Sequence, residues 1–172
     1  MLPAAATPRQ SRLPNRPYRL VTAMRILVTN DDGYFAPGIA ALATRLVKDG
    51  HDVTVAAPME DRSGTGTGIG LSLLEGGIAF ERVHIEGLGD TPVYGVHGLP
   101  ALAVFAAGLS GFGPPPDLVV SGVNYGFNTG RSVMHSGTVG AALTAANFNI
   151  SGLAVSTEAL EEPYWETATT LA

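Results

Sequence analysis

Cysteine is absent from the chain and lysine occurs once, at Lys48. The first absence removes disulfides, thiolate nucleophiles and zinc-thiolate sites. The second removes the P-loop, whose lysine reaches the nucleotide phosphates, because Lys48 does not close a glycine-rich loop. The histidines, His51, His84, His97 and His135, are scattered with no His-x-x-x-His or His-Glu pair, so a zinc site is not expected. Any metal must then be held by oxygen or by these rings. No apolar run approaches the roughly eighteen residues that a helical membrane span needs. Positive charge is short as well. From Met24 onward six basic residues face all 15 acids, and an acidic body argues against nucleic-acid binding.

What is present suits a single soluble domain with a real core: 172 residues, 45% hydrophobic and 15% charged. Residues 1–23 differ from the rest, with Arg9, Arg12, Arg16 and Arg19 and no acid. They are expected to form a disordered basic extension, with the folded domain over 24–172. A targeting peptide accounts for such a head, and so does a start codon assigned too far upstream, since Met24 directly precedes the first strand.

The stretch Arg25-Ile-Leu-Val-Thr-Asn-Asp-Asp-Gly-Tyr34 starts as a short aliphatic run and ends in two adjacent carboxylates and a glycine. It predicts a buried strand with Asp31 and Asp32 in the turn leaving its carboxyl end, the edge where open α/β sheets bind ligands. Neighbouring carboxylates repel each other unless a cation lies between them, and two hard oxygen donors suit a divalent metal. The same four polar residues also make an ordinary turn. Helical spacing follows over Ile39–Val47, begun near Pro37 and stopped at Asp49-Gly50, and then a strand over Asp52–Ala57. This β-α-β unit predicts a mostly parallel sheet in a Rossmann-like three-layer sandwich.

The glycine-rich loop Met59–Gly70 fails the dinucleotide pattern G-x-G-x-x-G, since Ile69 or Leu71 stands at the sixth position. It reads either as a flexible surface loop or as the carrier of a hydroxyl, Ser63, for whatever the aspartates hold. Residues 71–98 are the least regular, with strand pieces at Ile78–Phe80 and Arg82–Glu86 that suggest a hairpin laid over the sheet. A helix is expected over Leu99–Leu109 and a buried strand over Leu118–Ser121. In the loop after that strand, glycines alternate with carboxamides at Gly122, Asn124, Gly126 and Asn128. Such a loop brings backbone close to a ligand and offers each Asn oxygen to a cation, although Asx turns alone would also explain it. Ser136 and Thr138 open a run of small helix formers, either as a plain N-cap or as an anion site at the helix start. A last strand is expected at Ser151–Ser156 and a last helix from Glu161.

Parallel strands place these loops on one edge. A hard cation held by Asp31, Asp32, Ser63 and Asn124, beside a phosphate held by Asn128 and the helix start at Ser136, would make a metal-dependent phosphoryl hydrolase. A haloacid-dehalogenase-type site is excluded because Gly33 and Tyr34 stand where the second aspartate should be, and no Gly-x-Ser-x-Gly occurs for a serine hydrolase.

Taken together, Asn30-Asp-Asp-Gly33 with Ala36-Pro-Gly38, Ala57-Pro58 with Arg62-Ser-Gly64, Pro116-Asp-Leu-Val-Val-Ser-Gly-Val-Asn124-x-Gly-x-Asn128 and Ser136-Gly-Thr-Val139 resemble the SurE survival-protein family over residues 24 to about 157. The resemblance implies a cytoplasmic nucleotidase that hydrolyses nucleoside 5'- or 3'-monophosphates and trims short polyphosphate. It implies one divalent ion, Mg or Mn, in a site that Ca can also occupy. The ligands would be Asp31, Asp32, Ser63 and Asn124, with Asp31 and Asp32 catalytic, and phosphate contacts would come from Gly64, Asn128, Ser136, Gly137 and Thr138. It also implies a homo-oligomer, a dimer or tetramer. Family members continue beyond this chain's end into a β-rich portion and a subunit-joining arm, so the arm-mediated contact is not expected here. A catalytically impaired module that only binds nucleotide or phosphate is the alternative. Gly66 and Gly68 replace common serines, Arg131 a common acid and His135 a common tyrosine. These departures bear on substrate preference and leave the metal set whole.

Overall fold

The computed structural model describes residues 23–70 and 77–172. The expected disorder of 1–23 therefore falls almost wholly outside the described residues. In chain order the elements are β1 (Arg25–Thr29), α1 (Pro37–Lys48), β2 (Asp52–Pro58), β3 (Phe80–Arg82), β4 (Val93–Val96), α2 (Pro100–Gly108), β5 (Leu118–Tyr125), α3 (Gly137–Thr144), β6 (Ser151–Thr157) and α4 (Trp165–Leu171). Short 3-10 turns cover Gly130–His135 and Ala145–Phe148.

The strands form one six-stranded sheet in the order β3-β4-β2-β1-β5-β6, with only β3 antiparallel to its neighbour. Alternation along β1 divides its side chains between two faces. Ile26 and Val28 pack with Ile39, Leu42 and Ala43 of α1 and with Trp165 of α4, while Leu27 packs with Leu102 and Val104 of α2 and Ala141 of α3. A parallel sheet covered on both faces needs such continuous apolar strands, and the result is the expected α/β/α sandwich. The chain runs outward from β1 through β2 and β4, then returns to β5 on the other side of β1. That reversal opens a crevice outside the carboxyl ends of β1 and β5.

Four details depart from the sequence expectations. Phe80–Arg82 forms a short exposed edge strand within the sheet, paired with β4, rather than a hairpin over it. The strand Val93–Val96 was not anticipated, because four residues containing a glycine give little periodic signal. Gly95 is there for space: a Cβ at that position would meet the Met59 sulfur at 2.1 Å. Strand β5 runs on to Tyr125, so Asn124 stands in a strand end and not in a free loop. The last helix begins at Trp165, since Pro163 disfavours helical backbone at the residue before it.

Helix α1 crosses β5 closely at Gly38, where a Cβ would meet the Val123 carbonyl oxygen at 2.1 Å. Glycine to alanine in a free helix gains up to about 1 kcal/mol of propensity. Here the sign should reverse: Gly38→Ala is expected to destabilise by about 1–3 kcal/mol through overpacking. A urea-unfolding midpoint that stayed put or rose would show that the two elements can separate without cost.

Candidate active site

Asp31 leaves β1 almost fully buried, at 3% exposure. Its carboxylate accepts hydrogen bonds from the Thr138 hydroxyl at 2.6 Å and from the Gly137 backbone N–H at 3.1 Å. Both donors lie in the first turn of α3, whose N-terminus favours negative charge. Gly137 must be glycine, since a Cβ would lie 2.8 Å from the carboxylate oxygen. Ser136 caps the helix as anticipated, its hydroxyl accepting from the Val139 N–H at 3.1 Å. The helix start is therefore already turned toward a carboxylate of the chain itself, with Gly137 and Thr138 behind Asp31 rather than on the open surface.

The Ser63 loop is tied to this centre by backbone. The Arg62 N–H donates to the Asp31 carbonyl at 2.7 Å, and the Gly66 N–H donates to the His135 carbonyl at 3.0 Å. Ser63 gives both its backbone N–H and its hydroxyl proton to one Asp61 oxygen, at 2.8 and 2.6 Å. The hydroxyl lone pairs are left free to accept. Asn124 donates its amide to the Gly126 carbonyl at 2.7 Å, which aims its side-chain oxygen at the Thr138 hydroxyl, 3.1 Å away. That hydroxyl carries one proton, and the shorter bond to Asp31 takes it. Asn128 donates to the Ser156 hydroxyl at 2.9 Å.

The outcome is a cleft of about 290 Å³ lined by Asp31, Ser63, Gly64, Asn124, Asn128 and Ser136, with Tyr125 and His135 on its walls. Asp32 is half-buried and opens into an adjoining pocket, with Tyr125 common to both.

A profile of the family described as survival protein SurE matches residues 26–172. The chain belongs to the SurE family. It is 48% identical over 142 residues to a 5'-nucleotidase SurE of Halobacterium salinarum, covering 82% of this chain and 50% of that protein. To a 5'-nucleotidase SurE of Methanopyrus kandleri it is 45% identical over 135 residues, covering 78% of this chain and 49% of the other. The crystal structure of a SurE protein from Aquifex aeolicus superposes with a TM-score of 0.70 at 31% identity, over 86% of this chain and 56% of that one. The chain thus spans about half the length of the curated relatives it matches.

The electrostatics of this SurE site suit a hard cation. Burial, then the charges of Asp31 and Asp61, push the Asp32 carboxyl up from 3.8 to about 6, partly offset by a hydrogen bond from the Tyr125 N–H. Among the described residues no lysine or arginine lines the cleft or the adjoining pocket. Two carboxylates, a hydroxyl with free lone pairs and an aimed carboxamide oxygen form an all-oxygen set of the kind Mg, Mn or Ca accepts, so the residues fit a divalent ion. Among the described residues no cluster of three or more His, Cys, Asp or Glu side chains gathers for a metal, so an ion held here would take neutral oxygens as part of its shell.

Sequence reasoning passed over Asp61, Ser156 and Tyr125. Asp61 had a usable signal, an acid two residues before a serine, which is an Asx-turn spacing. The Ser63 donors hold its carboxyl below its usual range.

With metal removed by chelator, Asp32 should work against folding at high pH. Its folded pKa lies above the ordinary value, so the stability it contributes is present below 3.8 and is lost as pH rises through about 6. Asp32→Asn is therefore expected to match the wild type in denaturant stability below 3.8 and to exceed it above about 6. A difference independent of pH would contradict this.

Proposed function

We propose that the chain is a divalent-metal-dependent phosphatase that hydrolyses nucleoside 5'- or 3'-monophosphates to nucleoside and phosphate in the cytoplasm, with short polyphosphate as a further substrate. One observation carries the reading. Asp31, Ser63 and Asn124 share a cleft with Asn128 and Ser136, beside a half-buried Asp32 and, among the described residues, with no fixed positive side chain in the lining. Relatives named 5'-nucleotidase SurE, 43–48% identical, support the substrate class.

Asp31, Asp32, Ser63 and Asn124 would hold the ion. When bound, it supplies Lewis acidity toward water and toward the phosphoryl oxygens. The remaining work falls to the chain. Thr138 and Gly137 hold the Asp31 carboxylate in place, and Asp61, by taking the Ser63 protons, leaves the Ser63 lone pairs free toward the cleft. Asn128, the Gly64 backbone and the start of α3 at Ser136 position the phosphate oxygens. Asp32, half-buried at the edge of the cleft, would accept the proton of the attacking water. The proposal extends to a homo-oligomer, a dimer or tetramer, for which Phe127 and Met134, 60% and 77% exposed, are the candidate contacts beside the cleft.

Phosphate release from AMP should require Mg or Mn and stop with chelator. In Asp32→Ala it should fall by about 100-fold or more, beyond the roughly 10–100-fold typical of groups that only support a ligand. The circular dichroism of the variant should match that of the wild type. Metal-dependent turnover unaltered by this substitution would remove Asp32 from the site. Tight AMP binding without release would favour the binding module.

A further inference from the structure

The pocket adjoining the cleft measures about 320 Å³ and is walled by Asp32, Pro37, Tyr125, Leu160, Glu161 and Trp165. Its Tyr125 also lines the cleft, so the two spaces meet at one residue. The Tyr125 hydroxyl donates to the Leu160 carbonyl at 2.9 Å, which holds the ring and the segment before α4 together. The Tyr125 and Trp165 rings stand 6.4 Å apart and tilted by 42°, so they are not stacked on each other.

The lining is mainly apolar, and its charged groups, Asp32 and Glu161, are both acids. Such walls repel phosphate. They suit a neutral aromatic ring and groups that donate hydrogen bonds, such as the N–H of a base.

We infer that the pocket between Tyr125 and Trp165 receives the base of a nucleotide whose phosphate occupies the adjoining cleft. The inference rests on the nucleotidase reading and deepens it. Sugar phosphates and polyphosphate leave the pocket unfilled, so selectivity for nucleotides arises here and not at the phosphate.

Trp165 is the sole tryptophan of the chain, so indole fluorescence reports directly on this pocket. Titration of the full chain with AMP or adenosine should change that emission saturably, while ribose 5-phosphate should leave it unchanged. Trp165→Ala should lower kcat/KM for AMP relative to ribose 5-phosphate by about 10-fold or more, mainly through KM, and Trp165→Phe should restore most of the ratio. Unchanged emission at AMP concentrations that support hydrolysis, or an equal loss for both substrates, would overturn the inference and leave the nucleotidase reading standing. Saturable quenching by AMP without phosphate release would uphold the pocket and sink the proposed activity.

Discussion

The buried carboxylate of Asp31 is the constraint from which the rest of the site follows. Taking an ionised group out of water costs several kcal/mol, and it is tolerated only where hydrogen bonds or opposite charge replace the lost hydration. At 3% exposure Asp31 has no arginine or lysine partner among the described residues; it has the Thr138 hydroxyl, the Gly137 N–H and the positive end of α3. The end of β1 and the start of α3, about one hundred residues apart, are thereby locked together. A helix that drifted from this position would leave a buried carboxyl group without its hydrogen-bond donors.

Once α3 is seated on Asp31, its surface positions the glycine loop that carries Ser63. Gly140 is small enough for the Gly66 carbonyl to approach, where a Cβ would lie 2.7 Å away, and Gly66 in turn fits under the Met134 carbonyl. Glycines that look like flexibility in the sequence therefore act here as points of close packing. Ser63 and Asn124 each give away their donor hydrogens, to Asp61 and to Gly126, and so present oxygen lone pairs inward. Negative charge and lone pairs converge where the described residues of the lining offer no fixed cation. That imbalance raises the proton affinity of Asp32 and is what a divalent ion would relieve.

Much of this was legible from the residues. The β-α-β rhythm, the apolar strands and Asp31-Asp32 at a strand end specified the sheet and the edge that matters, because periodicity and turn chemistry are local properties. Val93–Val96 was hidden because its glycine answers to Met59, a neighbour across the fold rather than along the chain. The family resemblance implies phosphate contacts at Gly137 and Thr138, and in the fold both donate to Asp31.

The sequence by itself determined the chemistry available: hard oxygen donors, no thiols, one lysine, and the order in which strands deliver those donors to one edge. Only the tertiary structure decided how the donors are aimed and which spaces they face. Asp31 turns into the cleft while its neighbour Asp32 borders a second pocket, and Tyr125 meets Trp165 from forty residues away. Side-chain direction depends on which distant backbone groups need a partner and which distant surfaces need burial. Neither is encoded within reach of the residue itself.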